Sequence, residues 1–237
     1  MKYSIYTWAF GNEYERLPEV LDKDPNAEYI VITDNKEFYD NRFQYGDTWQ
    51  VVYESALEHM DEYKKFMYCL CHSFKYCSND IVIKYNTNIQ FIKRPTFILQ
   101  HYIYKHSNIS FILDGKYNNI TEYYKDLYNA ENADKNLIVT GLAKLRQLGI
   151  DVNSRIYKHD FIIQTRNKDN ENLNSLLYAL GLYMKDFNVP LDILFSYIIS
   201  KFFDNLQVLA LREDIIDSPY FKIKPQKEVN DTAGHIS

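Results

Sequence analysis

The chain has little of what breaks or loosens structure: seven glycines and six prolines in 237 residues, and no long serine–glycine tract. That excludes a flexible linker, a low-complexity segment and a collagen-like array. No internal repeat is visible. No run of about 18 apolar residues is present to span a bilayer, and the opening Met1–Trp8 is too short and too polar for a signal peptide. The expectation is a cytoplasmic protein with no membrane insertion. Excess charge is missing too: the formal net charge is −5 and the pI is near 5.7, so the molecule as a whole is not built to bind polyanions. What remains is a globular composition, 46% hydrophobic and 16% aromatic, enough to bury one good core with an appended C-terminal portion.

Cysteine is scarce, and its three copies, Cys69, Cys71 and Cys77, fall within nine residues beside His72. Such a cluster has the residue types of a zinc site. The periodicity favours another reading. Met60, Tyr63, Met67, Leu70, Cys71, Phe74 and Cys77 form a helical stripe over residues 57–77, with Cys71 and Cys77 facing the core and Cys69 pointing elsewhere. Unpaired thiols also suit a reducing compartment.

One segment departs from the acidic balance. Between Lys144 and Lys168 six cations, Lys144, Arg146, Arg155, Lys158, Arg166 and Lys168, face two acids, Asp151 and Asp160, a net +4 over 25 residues. Arg155, Lys158 and Arg166 are therefore candidates for holding a phosphate-rich acceptor. A solvated face paired with acids elsewhere would carry the same pattern.

Strands are expected at Tyr3–Trp8, Tyr29–Thr33, Trp49–Tyr53, Asp80–Tyr85, Ile109–Leu113 and Phe161–Arg166. Helices are expected as a short turn at Pro18–Leu21, then over 57–77, from Pro95 to about Lys105, over most of Asn119–Leu148, and over 171–186 and 190–205. This alternation predicts an α/β fold: a mainly parallel, twisted sheet with helices on both faces and a helical C-terminal portion. Residues 218–237, with Pro219, Pro225 and Gly234, read as a weakly ordered tail.

Ligands of such sheets bind beyond the strand carboxyl ends, which directs attention to two places. Tyr29–Thr33 ends in Thr33-Asp34-Asn35, delivering a hydroxyl and a carboxylate that could accept hydrogen bonds from a ribose or a base, or could cap a turn. Asp80–Tyr85 ends in the polar triplet Asn86-Thr87-Asn88 before the apolar run resumes at Ile89.

The order Ile5-Tyr6-Thr7, Glu28–Asn35, Trp49–Val52, Lys64-Lys65 with His72, and Asp80–Ile89 resembles a GT-A-type glycosyltransferase family, the nucleotide-sugar transferases. Phe161–Asn167 and Pro190–Phe195 resemble its later arginine-bearing strand and Arg-Asp-Gln helix start, so the similarity runs through residues 3–200 in order. In that family the triplet is usually Asp-x-Asp, and here both carboxylates are amides. The resemblance implies that Tyr6, Thr7, Thr33 and Asp34 hold the nucleoside of a nucleotide-sugar donor. It further implies that Lys65 reaches the diphosphate, that Asn86 and Asn88 face diphosphate and sugar, and that Asp192 sits beside the transferred sugar. Leu191 and Ile193 replace the arginine and glutamine around Asp192, so only the carboxylate is retained. Asp192 is the candidate general base, at a helix start whose dipole favours its ionised form; helping to satisfy the first turn's N–H groups is its other reading.

Asparagine amides are poor ligands for a hard cation, so manganese or magnesium is expected to bind weakly or not at all. Then either lysine and arginine neutralise the leaving diphosphate, or catalysis has been lost and a sugar-nucleotide-binding module remains. The resemblance implies a catalytic domain over residues 1–217, its nucleotide-binding half 1–94 and its acceptor-binding half 95–217. The acceptor is left open between a glycan and DNA with hydroxymethylated bases, the latter as in DNA modification by phage enzymes.

Overall fold

The computed structural model describes residues 1–12, 17, 20–86, 89–91, 93–96, 99–100, 109–131, 133–187, 189–202, 208–211 and 221–223. Asn88, most of the helix expected from Pro95 and the first half of the Pro18–Leu21 turn lie outside the described residues.

The apolar runs read from the sequence form the strands β1 (Tyr3–Ala9), β2 (Ala27–Thr33), β3 (Gln50–Tyr53), β4 (Ile81–Tyr85), β6 (Ile109–Leu113) and β7 (Tyr157–Thr165). Short strands β5 (Ile89–Phe91), β8 (Val208–Leu211) and β9 (Phe221–Ile223) complete the set. Seven strands make one sheet in the order β3-β2-β1-β4-β7-β6-β8, and β5 pairs with β9. Part of the expected tail is thus a strand. The pairs β1–β2, β1–β4, β2–β3 and β6–β8 are parallel, whereas β7 runs antiparallel to both β4 and β6. The chain leaves β1 toward β2 and β3 and returns to β4 on β1's other side. Between β1 and β4 lies the switch point, beyond whose carboxyl ends such sheets hold their ligands.

Two of the long helices that the periodicity predicts are divided into shorter pieces. The expected helix over 57–77 is three pieces: a 3-10 turn at Ser55–His59, α2 (Glu62–Cys71) and α3 (Ser73–Tyr76). Asp61 starts α2 by accepting the Lys64 N–H, which interrupts the helix that the stripe predicted. Cys69, expected off the stripe, is fully buried along with Cys71 and Cys77. Asn119 and Asp134 cap α4 (Ile120–Asn129) and α5 (Lys135–Gln147) in the same way, dividing the expected Asn119–Leu148 helix. A small helix α1 (Lys36–Asp40), α6 (Lys168–Met184) and α7 (Leu191–Phe202) complete the layers.

Two cores flank the sheet. The larger joins Tyr6, Trp8 and Val82 to Met67 and Leu70 of α2, Leu173 and Leu177 of α6 and Phe195 of α7. Helices α2 and α6 approach closely at Gly181, where an added Cβ would lie 2.3 Å from Met67 Cε. On the other face Tyr3, Ile5, Ile83, Tyr85 and Phe161 pack together.

The larger core encloses a charge. Lys84, 1% exposed on β4, donates to the Leu70 carbonyl at 2.8 Å, one of the orphan carbonyls of α2's last turn. Asn174 Oδ1 lies 3.5 Å away and also accepts from Gln164 Nε2 at 3.1 Å. Burial lowers the Lys84 pKa to about 8. Between that value and about 10.4 for an unfolded lysine, the unfolded chain holds a proton that the folded chain has released. Rising pH across this window therefore stabilises the fold through Lys84, while unfolded-state ionisation of the three buried cysteines works the other way. Comparison with Lys84→Met isolates the lysine. Denaturant unfolding should show the stability of wild type relative to Lys84→Met rising by on the order of 3 kcal/mol from pH 7 to pH 11; a pH-independent difference would contradict this protonation behaviour.

Candidate functional site

The site is the rim at the carboxyl ends of β1, β2 and β4, together with the start of β7. Because β7 is antiparallel to β4, Phe161 lies opposite Tyr85, and the Asn86 N–H donates to the Asp160 carbonyl at 2.9 Å. His159 and Asp160 thereby share the edge on which β4 ends.

At the β1–β2 side the chain turns at Gly11, whose φ of 52° is left-handed backbone that glycine adopts without strain. The Gly11 N–H donates to Asp34 Oδ1 at 2.8 Å, and Asn35 Nδ2 donates to the Gly11 carbonyl at 2.6 Å. Asn35, rather than Asp34, caps α1 by accepting the Phe38 N–H at 3.0 Å. Asp34 also receives the ammonium of Lys65 from α2, an ion pair whose side chains are 8% and 15% exposed. Asp34 and Lys65 are thus brought together.

Three other candidates are not at a surface. Tyr6, Thr7 and Thr33 are fully buried. The Tyr6 hydroxyl donates to the Cys69 carbonyl, Thr7 Oγ1 to the Tyr85 carbonyl, and Thr33 Oγ1 accepts the Asn35 N–H. Their hydroxyls join strands, helix and turn inside the protein, which corrects their assignment to nucleoside binding. The reason is the covered parallel sheet: side chains within β1 and β2, including Thr33 at the last position of β2, point into a core.

At the other side of the rim Asp192, in the first turn of α7, accepts two bonds on Oδ1: the His159 backbone N–H at 2.8 Å and His159 Nδ1 at 2.5 Å. The Phe66 ring of α2 meets the imidazole edge-on at 5.3 Å between centroids, and Asp160 Oδ1 lies 4.0 Å from Nε2. Burial disfavours the charged imidazolium, but the bond to Asp192 and the charges of Asp192 and Asp160 outweigh it and raise the His159 pKa. Phe66 links the two sides, since it follows Lys65 on α2 and packs edge-on against Trp8 of β1.

The candidate acceptor cations do not converge. Arg155 is exposed and Lys158 lies within β7, but Arg166 stands past the other end of that strand. Eight residues at about 3.3 Å each separate Lys158 from Arg166, roughly 26 Å. Arg166 donates to the Phe74 and Cys77 carbonyls at 3.1 and 2.7 Å and covers the Phe74 ring, joining α3 to the sheet far from the rim. Arg166 thus stands apart from His159 and Asp192 at the rim.

The residues that sequence reasoning missed are Gly11, Phe66, His159 and Asp160. A polar Lys158-His159-Asp160 preceding the apolar Phe161–Ile163 was the available signal, but it marks the rim only once β7 is known to be antiparallel. The donor set does not fit a tightly held divalent cation: Asn86 offers an amide, and among the described residues no group of three His, Cys, Asp or Glu side chains is placed to hold a metal.

No family model matches the sequence, and no curated protein matches it. Solved structures do. Galactosyltransferase LgtC, crystallised with donor and acceptor sugar analogues, aligns at a TM-score of 0.54 with 10% identity, over 92% of this chain and 79% of that one. Mouse xyloside xylosyltransferase 1 in its apo form aligns at 0.50 with 8% identity, over 89% of this chain and 85% of the other. No helix among the described residues is long and apolar enough to cross a membrane.

If the Asp34–Lys65 pair positions the rim, its energy should be coupled. Asp34→Ala is expected to cost about 1–3 kcal/mol by releasing the Gly11 N–H and leaving the lysine unpartnered. In a double-mutant cycle with Lys65→Met, denaturant unfolding should give a coupling of about 1 kcal/mol or more; additive losses would mean that the pair does not hold the rim. The chain has the GT-A glycosyltransferase fold, a mainly parallel α/β sheet covered by helices on both faces.

Proposed function

We propose that the protein transfers a sugar from a nucleotide-sugar donor to a hydroxyl acceptor. The observation that carries this reading is the meeting of a cation and two polar clusters on one rim of a GT-A fold, at the switch point: Lys65 with Asp34 on one side, Asn86 at the end of β4, and His159 with Asp192 on the other. Asp34 and the Gly11 turn face the nucleoside. Negative charge grows on the leaving diphosphate as the bond to the anomeric carbon breaks, and stabilising it is usually the largest catalytic contribution. Lys65, held by Asp34, supplies positive charge there, and the Asn86 amide supplies a neutral polar group. Asp192 and His159 lie toward the transferred sugar. Transfer in this reading does not depend on a tightly bound metal.

Residues 1–94 form the nucleotide-binding half and 95–217 the acceptor-binding half of the catalytic domain. Lys158 and Arg166 stand toward opposite ends of β7, and this separation favours a glycan hydroxyl over DNA as acceptor. Three buried free thiols suit a cytoplasmic location. The amides at 86 and 88 favour one second reading, a sugar-nucleotide-binding module without turnover.

Thermal unfolding with UDP-glucose, UDP-galactose, UDP-xylose and GDP-mannose, each with and without manganese, tests donor binding. A donor present at a hundred times its Kd stabilises the folded state by about 2.7 kcal/mol. At least one is expected to raise Tm without manganese, and stabilisation without any nucleotide release would favour the binding module. No shift with any of the four, with or without manganese, would overturn the nucleotide-sugar reading.

A further inference from the structure

We propose that His159, oriented by Asp192, takes the proton of the acceptor hydroxyl, so that Asp192 is a positioning residue. This rests on the transferase reading and assigns the general base within it.

The geometry begins in the sheet. Phe111 of β6 pairs with Ile162 of β7, but the next residue, Ile112, pairs with Lys158. Residues 159–161 are therefore looped out of the β6 ladder, although Phe161 still pairs with Tyr85 on the other side. Bulges re-aim side chains and are common beside active sites. Here the bulge lifts His159 toward the first turn of α7, where Asp192 Oδ1 accepts both its backbone N–H and its Nδ1. A carboxylate on Nδ1 makes that nitrogen the donor in the neutral ring, by the logic of the hydrogen-bond network, and leaves the Nε2 lone pair to receive a proton. Because Asp192 Oδ1 is engaged by two donors from one residue, it is better disposed to hold the imidazole than to act on a substrate. The Phe66 ring fixes the imidazole's other aspect, and the histidine side chain remains 23% exposed.

In the step, the acceptor oxygen forms a bond to the anomeric carbon while the carbon–oxygen bond to the diphosphate breaks and its electron pair leaves with the diphosphate. The hydroxyl proton moves to His159 Nε2 and later to solvent. Asp192 from α7 and Asp160 from β7 are the charged groups facing the imidazole, and both favour its protonated form. The α2 helix presents the uncharged Phe66, with Lys65 beside it committed to Asp34, and Tyr123 of α4 lies within the field of Asp192. Activity should accordingly fall on the acidic side of a pKa raised above that of an ordinary histidine.

The test follows UDP release from UDP-glucose, UDP-galactose and UDP-xylose across pH, with water or added sugars as acceptor, alongside thermal shifts by the same donors. His159→Gln is expected to lower the rate about 10²–10⁴-fold while keeping the donor's thermal shift. Asp192→Asn removes a charge that raises the histidine pKa, so the acidic limb of kcat/KM should move to lower pH and the plateau should drop. If His159→Gln does not fold, the limb shift in Asp192→Asn decides the matter alone. A His159→Gln rate within about threefold of wild type, or an acidic limb unmoved in Asp192→Asn, would overturn the base role and leave the transferase reading standing. Wild type that neither binds nor turns over any of the donors would overturn the transferase reading and the base role with it.

Discussion

The antiparallel course of β7 beside β4 is the constraint on which the site depends. Had β7 run parallel, Arg166 would stand beside Asn86, and His159 would lie at the far edge with Asp80. Reversal exchanges them. It places the start of β7 next to the end of β4, within reach of the first turn of α7, so that one edge gathers side chains from β1, β2, α2, β4, β7 and α7. At the opposite edge the same strand contributes an arginine that joins backbone carbonyls. One strand direction thus separates a chemical end of the sheet from a structural end.

Six strands were legible because buried strands read as continuous apolar runs, whereas the short β5, β8 and β9 and the start of β7 at Tyr157 were not. Direction was not legible, since the side-chain period of a strand is the same whichever way it points. Asp34 and Asp192 stood out as carboxylates at the borders of apolar runs. Tyr6, Thr7 and Thr33 carry suitable polar groups but precede the strand end, where both faces are closed and hydroxyls are used internally. His159 was not legible because the polar Lys158-His159-Asp160 run marks the rim only once β7 is known to be antiparallel, and the bulge that loops it out of the β6 ladder has no sequence signal of its own. The 57–77 helix misled for a related reason: its apolar stripe continues through the Asp61 cap, so periodicity alone hid the break and misplaced Cys69.

Two lysines show how differently the fold treats one residue type. Lys84 is enclosed with a carbonyl and an amide for partners beside the Phe74 ring, a cost that rising pH relieves. Lys65 keeps a carboxylate partner and stays partly exposed. An ammonium held in place by Asp34 needs little reorganisation to meet a diphosphate, which is the property that makes fixed charges effective in catalysis. The Asn86 amide at the end of β4 adds polarity without the negative charge that would recruit a hard cation.

The central claim is that Lys65 neutralises the departing diphosphate without a tightly bound cation. It is tested most directly by measuring sugar transfer, by mass spectrometry of the product, in chelator and again in manganese, for wild type and Lys65→Met. Transfer by wild type should persist in chelator within about threefold, and Lys65→Met should lower it about 10²-fold or more in either condition, the scale of removing one charge-stabilising group. Wild-type transfer that vanishes in chelator and returns with manganese would contradict the claim.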